Sequence, residues 1–290
     1  MITFIICSIA PERAHALEQN IQRTIGETPY EIIIFDNRQT NYSIAKAYNL
    51  CASKARYAYL CFLHEDIAFH SRNWGKDIIH QLSSDNCGII GFSGSILKTQ
   101  CISGVHPYNP LTCHNYIQKD RKYSYFFNSL NDDIDYKACI TVDGMCMFVP
   151  KAVWNLHHFD EQTLTGFHGY DLDFSLQVAM HHQNYICNTI IIEHFSNGSY
   201  TTQWVNAIIA LDAKWKDKLP LSVEDFSEKA LNYYEEEALF LFLKKALRTQ
   251  SPHKDIYPFL KDYWKRTHFK KHSLTLLLKL ISNRLLHIKA

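Results

Sequence analysis

Apolar and polar positions along this chain fall into short blocks whose spacing switches between the strand period and the helix period. Ile2 to Ile9 is apolar and β-branched, and Pro11 marks the turn into a helix. From Glu12 to Ile25 apolar side chains recur at helical spacing (Ala14, Leu17, Ile21, Ile25), and Gly26 and Pro29 close that segment. Glu31 to Phe35 reads as a second strand, and Ser43 to Ala55, with Ala and Leu at helical spacing, as a second helix. The stretch Tyr57 to Asp66 then opens with a short, continuously apolar and aromatic run ending at Leu63. Such a run suits a strand covered on both faces. Strand, helix, strand, helix, strand in this order predicts a parallel, right-handed βαβαβ unit.

Beyond it, Trp74 to Leu82 reads as a helix and Cys87 to Phe92 as a fourth strand ending in the run GFSGS. From Lys98 to Asp135 the periodicity weakens into a polar and aromatic segment with Pro107 and Pro110. Loops of this length inside a domain are commonly functional, so the segment reads either as a lid or ligand-facing region or as a plain surface excursion. Periodicity returns in Cys139 to Val149, a strand interrupted by Asp143-Gly144, and Pro150 to Trp154 starts a short helix. A helix is expected from Asp171 to His182, with carboxylates in its first turn, and Tyr185 to Ile192 reads as a further β-branched strand. After Trp204 the chain reads helical to its end. The expected division is therefore residues 1–202 as an α/β domain and 203–290 as a helical region.

Composition changes this picture little. A length of 290 residues with 47% hydrophobic and 20% charged residues is ordinary for a globular protein. A net charge of +1 argues against whole-protein attraction to nucleic acid. Nine cysteines without a CxxC pair suggest neither a zinc knuckle nor a disulfide framework, and point to a reducing, cytoplasmic compartment. The last forty residues hold nine Lys or Arg against two Asp. Such a basic, amphipathic tail fits either peripheral contact with an anionic membrane surface or packing on its own domain or a partner.

Candidate chemistry collects at the ends of the expected strands. Ser8, Asp36-Asn37 and His64-Glu65-Asp66 follow the first three, and parallel strands bring these ends to one edge, where open α/β sheets bind ligands. GxGxxG is absent. Two adjacent carboxylates at such an edge repel unless a cation or a proton lies between them, and a divalent ion bridging to a phosphate would serve. Asp36 either accepts hydrogen bonds from a base or ribose or caps a turn. Asp171 and Asp173 open the late helix, and His194 follows the last strand.

In its FDN at 35–37, SIAKAYNLCASKA at 43–55, LCFLHEDI at 60–67, VDGMCMFVPK at 142–151, GFHGYDLDFSLQ at 166–177 and EHFSNGS at 193–199, the chain resembles the family 2-like glycosyltransferases of the GT-A fold. The resemblance covers about residues 2–200. It implies a Rossmann-like, mostly parallel central sheet flanked by helices, a nucleotide-sugar donor, a divalent metal (Mn²⁺ or Mg²⁺) and a glycan or lipid-linked acceptor. His64-Glu65-Asp66 stands where the family carries its DxD motif. Asp66 matches the metal-binding aspartate, His64 replaces the first one, and Glu65 is a substitute for it on the nucleotide-sugar side. His194 falls where a late histidine completes some metal sites. Tyr170-Asp171 stands at the ED-type motif, so the resemblance makes Asp171 the general base, with Tyr170 in the usual acidic position. Asp173 is expected to orient the loop or to raise the pKa of Asp171, with His168 on the acceptor side. Ser8, Asp36, Asn37, His64, Glu65 and Asp143 are expected around the nucleotide-sugar. One base and no placed nucleophile imply inversion by direct displacement, in the assembly of a bacterial surface polysaccharide. The rival expectations are a metal-dependent nucleotidyltransferase or nucleotide-sugar hydrolase, and a degenerate domain that binds without catalysing.

Overall fold

The structure, a computed structural model, describes residues 1–120, 122–196, 198, 200–249, 251–268, 273–276 and 278–279. The basic tail beyond residue 279 lies outside the described residues, as do Asn197 and Ser199 of the late loop.

The amino-terminal unit forms as the periodicity predicts. Strands β1 (Ile2–Ser8), β2 (Tyr30–Asp36) and β3 (Tyr59–Leu63) are joined by helices α1 (Pro11–Thr24) and α2 (Ile44–Lys54). Ser43 starts α2 by accepting from Lys46 N with its hydroxyl. β1 lies between β2 and β3 and is parallel to both, so the carboxyl ends of the three strands share one edge. The apolar runs resolve with period two. Phe4, Ile6, Cys61 and Leu63 face a layer containing α1 and α3 (Gly75–Leu82), while Ile5, Leu60 and Phe62 face α2 and the later helices. Leu60 to Leu63 have no exposed surface, as a doubly covered strand requires.

After the short β4 (Ile67–Phe69), the chain adds β5 (Cys87–Gly91), β6 (Ser93–Ser95) and β7 (Leu97–Lys98). The segment expected as a loop from 98 to 135 instead carries a hairpin, β8 (Thr112–Lys119) and β9 (Ser124–Asn128). Every residue of β9 is exposed, so no apolar face marks it in the sequence. The interrupted strand at 139–149 becomes β10 (Tyr136–Cys139), β11 (Thr141–Val142) and β12 (Cys146–Pro150), with Asp143-Gly144 turning between the last two. Helices α4 (Lys151–Leu156) and α5 (Tyr170–Ala179) follow. The strand expected over 185–192 is two strands: β13 (Gln183–Cys187) stays in the large sheet and β14 (Ile192–His194) enters a second one. The buried Asn115 donates to both Cys187 O and Ile190 O across this break, satisfying the backbone where the chain changes sheets.

The large sheet runs β10-β13-β5-β12-β3-β1-β2 and the second runs β11-β6-β8-β14-β4 with β9 beside β8. In the large sheet β12 and β10 are antiparallel to their neighbours and the other strands are parallel. Helices α6 (Thr202–Trp215), α7 (Glu228–Ala246) and α8 (His253–Thr267) follow, with a small strand β15 (Leu221–Ser222) paired to β7. One apolar cluster contains Phe62 of β3, Phe174 of α5, Leu211 of α6, Leu243 of α7 and Leu260 of α8. The core thus passes through the boundary expected at residue 202 without a break. No helix among the described residues is long and apolar enough to cross a membrane.

Candidate active site

Where the two sheets meet, three side chains converge on one point. His64 follows β3, Asp66 precedes β4 and His194 ends β14, and β14 pairs with β4 so that His194 lies opposite Ile67. Their potential ligand atoms lie within 4.8 Å of one another. Each imidazole engages a protein partner with one nitrogen and turns the other to the carboxylate. His64 Nε2 meets the Tyr170 hydroxyl at 2.8 Å, leaving Nδ1 4.0 Å from Asp66 Oδ1. His194 Nδ1 lies 3.3 Å from Gln118 Oε1, leaving Nε2 3.6 Å from the same oxygen, with the Ser196 hydroxyl 3.2 Å away. Asp66 Oδ1 is buried and has no hydrogen-bond partner. Buried polar atoms without a partner are uncommon, and two imidazoles and a carboxylate around one form a donor set suited to a divalent ion. Burial lowers the His64 pKa, keeping the imidazole neutral as a ligand must be. Burial alone would raise Asp66, but the adjacent His194, Ser196 and His64 together outweigh it and hold the carboxyl well below the usual carboxylate range.

The second group is built by the turn between β11 and β12 and the start of α5. Gly169, at φ +80°, takes the left-handed conformation that begins the helix. Gly144 lets the two segments touch, because a Cβ there would lie 2.2 Å from the Tyr170 hydroxyl oxygen and 3.0 Å from Asp171 Cβ. In that contact Gly144 N donates to Asp171 Oδ2 at 3.0 Å, and the Tyr170 hydroxyl reaches Gly144 O at 3.3 Å as well as His64. Burial pushes the Asp171 carboxyl up to about 7, and the nearby Asp143 charge adds to the shift. A carboxylate tuned to that range can take a proton near neutral pH.

Both groups open into one cavity of 490 Å³, whose lining includes His64, Asp143, His168, Asp171 and His194. His106 and Lys245 stand on its wall. Ser93 Oγ lies 2.7 Å from His106 Nε2 and 2.8 Å from His114 Nδ1, and burial lowers the pKa of both rings, that of His114 to about 4.

A family model described as "Glycosyltransferase like family" matches residues 3–218. The chain belongs to this family. No curated protein sequence matches it. Among solved structures, GalNAc-T7 with UDP, GalNAc and Mn²⁺ superposes with a TM-score of 0.52 at 10% identity, over 99% of this chain and 57% of that one. TarS of S. aureus gives 0.51 at 10% identity, over 97% of this chain and 53% of that one. The chain thus spans little more than half the length of these two proteins. The likeness carries the fold, which is GT-A with additional carboxyl-terminal helices.

Within this glycosyltransferase-like chain the expected site residues separate into two sets. His64, Asp143, His168, Tyr170, Asp171 and His194 line the cavity, with Asp66 beside His64 and His194. Ser8, Asp36, Asn37, Glu65 and Asp173 do not line it. Ser8 Oγ donates to Glu65 Oε2 at 2.5 Å, and that oxygen also accepts from Ile9 N and Ala10 N. Glu65 therefore holds the β1–α1 loop and is not a free substitute for a DxD carboxylate. Asp36 stands exposed in an ion pair with Arg38, which holds its carboxyl down to about 2. Asn37 is buried, with its amide spent on Thr40 and on the backbone of Tyr42. Asp173 lies away from the cavity. It has no exposed surface, and it accepts from Trp215 Nε1 at 2.7 Å and pairs with Lys214, joining α5 to α6. The like charge acting on Asp171 is Asp143, which the sequence offered only as a pocket residue. Gln118 was hidden because its strand read as loop, and the ligand geometry of His64 because only its DxD position pointed to it.

Proposed function

We propose that this chain is a metal-assisted, inverting glycosyltransferase that moves a sugar from a nucleotide-sugar donor to a hydroxyl of a glycan or lipid-linked acceptor. The observation that carries the reading is the shared cavity: Asp171, with its carboxyl near 7, opens into the same space as the His64–Asp66–His194 cluster. His64, Asp66 and His194 would hold a divalent ion, Mn²⁺ or Mg²⁺, which when bound neutralises the charge of the diphosphate. Asp171 takes the acceptor hydroxyl proton as that oxygen forms its bond to the anomeric carbon, and the bond to the diphosphate oxygen breaks with its electron pair leaving on the phosphate. One displacement of this kind inverts the anomeric centre. The Gly144 amide fixes the Asp171 carboxylate and Asp143 keeps its proton affinity high. The nucleoside lies along the edge where Ser8 and Asp36 sit in register at the ends of β1 and β2. All nine cysteines are free thiols, which supports a reducing, cytoplasmic setting, and the family resemblance supports a role in assembling a bacterial surface glycan.

The test is thermal stability against UDP, GDP, CDP and dTDP with and without Mn²⁺, followed by product analysis with the nucleotide-sugar of the best base. A ligand bound only by the folded chain raises the midpoint. A metal-dependent shift for one nucleotide that survives in Asp171→Asn, with sugar turnover reduced by about a thousandfold, is expected. Turnover surviving in Asp171→Asn removes the assigned base. Release of free sugar unaffected by any acceptor makes the chain a hydrolase, and no shift for any nucleotide makes it a non-catalytic domain.

A further inference from the structure

Beyond the matched family region, α7 brings a cation to the cavity wall. Lys245 Nζ stands 4.4 Å from the ring centroid of Tyr200 and 5.9 Å from that of Trp204, and the two rings meet edge-to-face at 4.9 Å. All three residues line the cavity that holds Asp171. Lys245 thus rests on aromatic faces, and among the described residues it forms no ion pair with a carboxylate. Tyr200 is 53% exposed, which leaves much of its surface free for a ligand. An ammonium on aromatic rings keeps its far side open to an anion, and the rings offer a surface for the apolar face of a sugar.

We propose that Lys245, Tyr200 and Trp204 form the acceptor subsite, and that it selects a sugar carrying an anionic group, a carboxylate or a phosphate. This rests on the transferase reading given above. On the donor side charge would be neutralised by the divalent ion that His64, Asp66 and His194 would hold, and those residues lie inside the matched residues 3–218. Lys245 lies outside them, as fits a feature that sets which acceptor is taken on a shared donor site. A sugar seated on Tyr200 and Trp204, its anion at Lys245, occupies the cavity into which Asp171 opens.

The experiment measures binding of methyl glucoside, methyl glucuronide and glucose 6-phosphate to the full chain by ligand-observed NMR, for the wild type, Lys245→Gln and Trp204→Ala. Affinity for UDP, GDP, CDP and dTDP with Mn²⁺ is measured on the same samples. The wild type should bind at least one anionic sugar about tenfold more tightly than methyl glucoside, the worth of one charge-assisted hydrogen bond. Whichever anionic probe wins separates carboxylate from phosphate. Lys245→Gln should lose the preference while keeping its melting temperature, its weak binding of methyl glucoside and its nucleotide affinity. Trp204→Ala should weaken all three sugars. Equal binding of neutral and anionic sugars by the wild type overturns the proposal, and so does a tenfold loss of nucleotide affinity in Lys245→Gln, which would assign the lysine to the donor diphosphate. A wild type that discriminates the sugars but binds no nucleotide keeps the subsite and removes the transferase reading.

Discussion

Two departures from the family pattern, a histidine at the start of the DxD position and a tyrosine at the start of the ED position, touch each other. The Tyr170 hydroxyl lies 2.8 Å from His64 Nε2, so the residue that replaces an acid also fixes which imidazole nitrogen faces Asp66. Groups that orient a metal ligand commonly govern affinity by about 10–100-fold. Tyr170→Phe should therefore weaken Mn²⁺ binding by about tenfold, measured by calorimetry, with the helix content unchanged; equal affinity in the variant would reduce Tyr170 to packing. Asp171 carries a cost of the opposite kind. Its folded value of about 7 lies above the ordinary carboxylate value, so the folded state favours the protonated form. The stability that follows is fully present below the ordinary carboxylate range and is lost as pH rises through about 7. Asp171→Asn keeps an acceptor for the Gly144 amide without the charge. At pH 8 it should be more stable than wild type by on the order of 2 kcal/mol, the gap closing towards pH 4, as read by urea unfolding. Turnover by the wild type should show the reverse dependence, rising with pH to a plateau above about 7. A variant no more stable at pH 8 would mean that Asp171 is not held at a raised pKa.

At the level of elements, the amino-terminal unit was legible because each segment shows one period to one layer: Leu17 and Ile21 on a helix stripe, Phe4 and Ile6 against Ile5 on a strand. The hairpin β8–β9 was not, because Tyr125, Phe126 and Phe127 are all exposed and no buried face sets a period of two along β9. The break between β13 and β14 was hidden for a different reason, since Asn115 supplies from another strand the hydrogen bonds that end β13. Site residues followed the same logic. Asp171 and His194, expected at element ends, line the cavity, whereas Glu65 and Asp173, acids in equally suggestive places, join elements. Glu65 is the clearest case: Ala10 caps α1 with no side-chain acceptor, and the Glu65 carboxylate, brought in after β3, accepts from Ala10 N, Ile9 N and the Ser8 hydroxyl. Glu65→Ala should cost about 1–3 kcal/mol in urea unfolding, because a buried hydroxyl and the helix start lose their acceptor together. Glu65→Gln, which retains an acceptor oxygen, should cost less. A loss of nucleotide binding in Glu65→Gln without loss of stability would return Glu65 to the donor site.

Across the whole molecule, the change in composition near residue 202 marks a change of element type and not of core. Helices are read from their own periodicity, but whether they share a core with a sheet depends on partners far away in the chain, which no local pattern carries. Here the partners are explicit. The buried Glu235 of α7 accepts from Gln100 N at 2.7 Å and Cys101 N at 2.5 Å, pinning the segment after β7, and Lys245 of the same helix reaches the cavity. Phe242 and Leu243 belong to the same apolar cluster as Phe62 of the large sheet and Phe174 of α5. Elements that share one core unfold together. The intact chain should thus show one thermal transition, reported alike by tryptophan fluorescence and far-UV circular dichroism. A chain ending at Lys218, where the family match stops, keeps His64, Asp66, His194 and Asp171 but exposes the apolar residues that Phe242, Leu243 and Leu260 cover, and it should bind a hydrophobic dye and melt well below the intact chain. Two separate transitions in the intact chain, or a stable and dye-free shortened chain that still binds nucleotide with Mn²⁺, would make residues 203–290 an independent region, and Lys245 would then be an attachment to the site and not a part of its foundation.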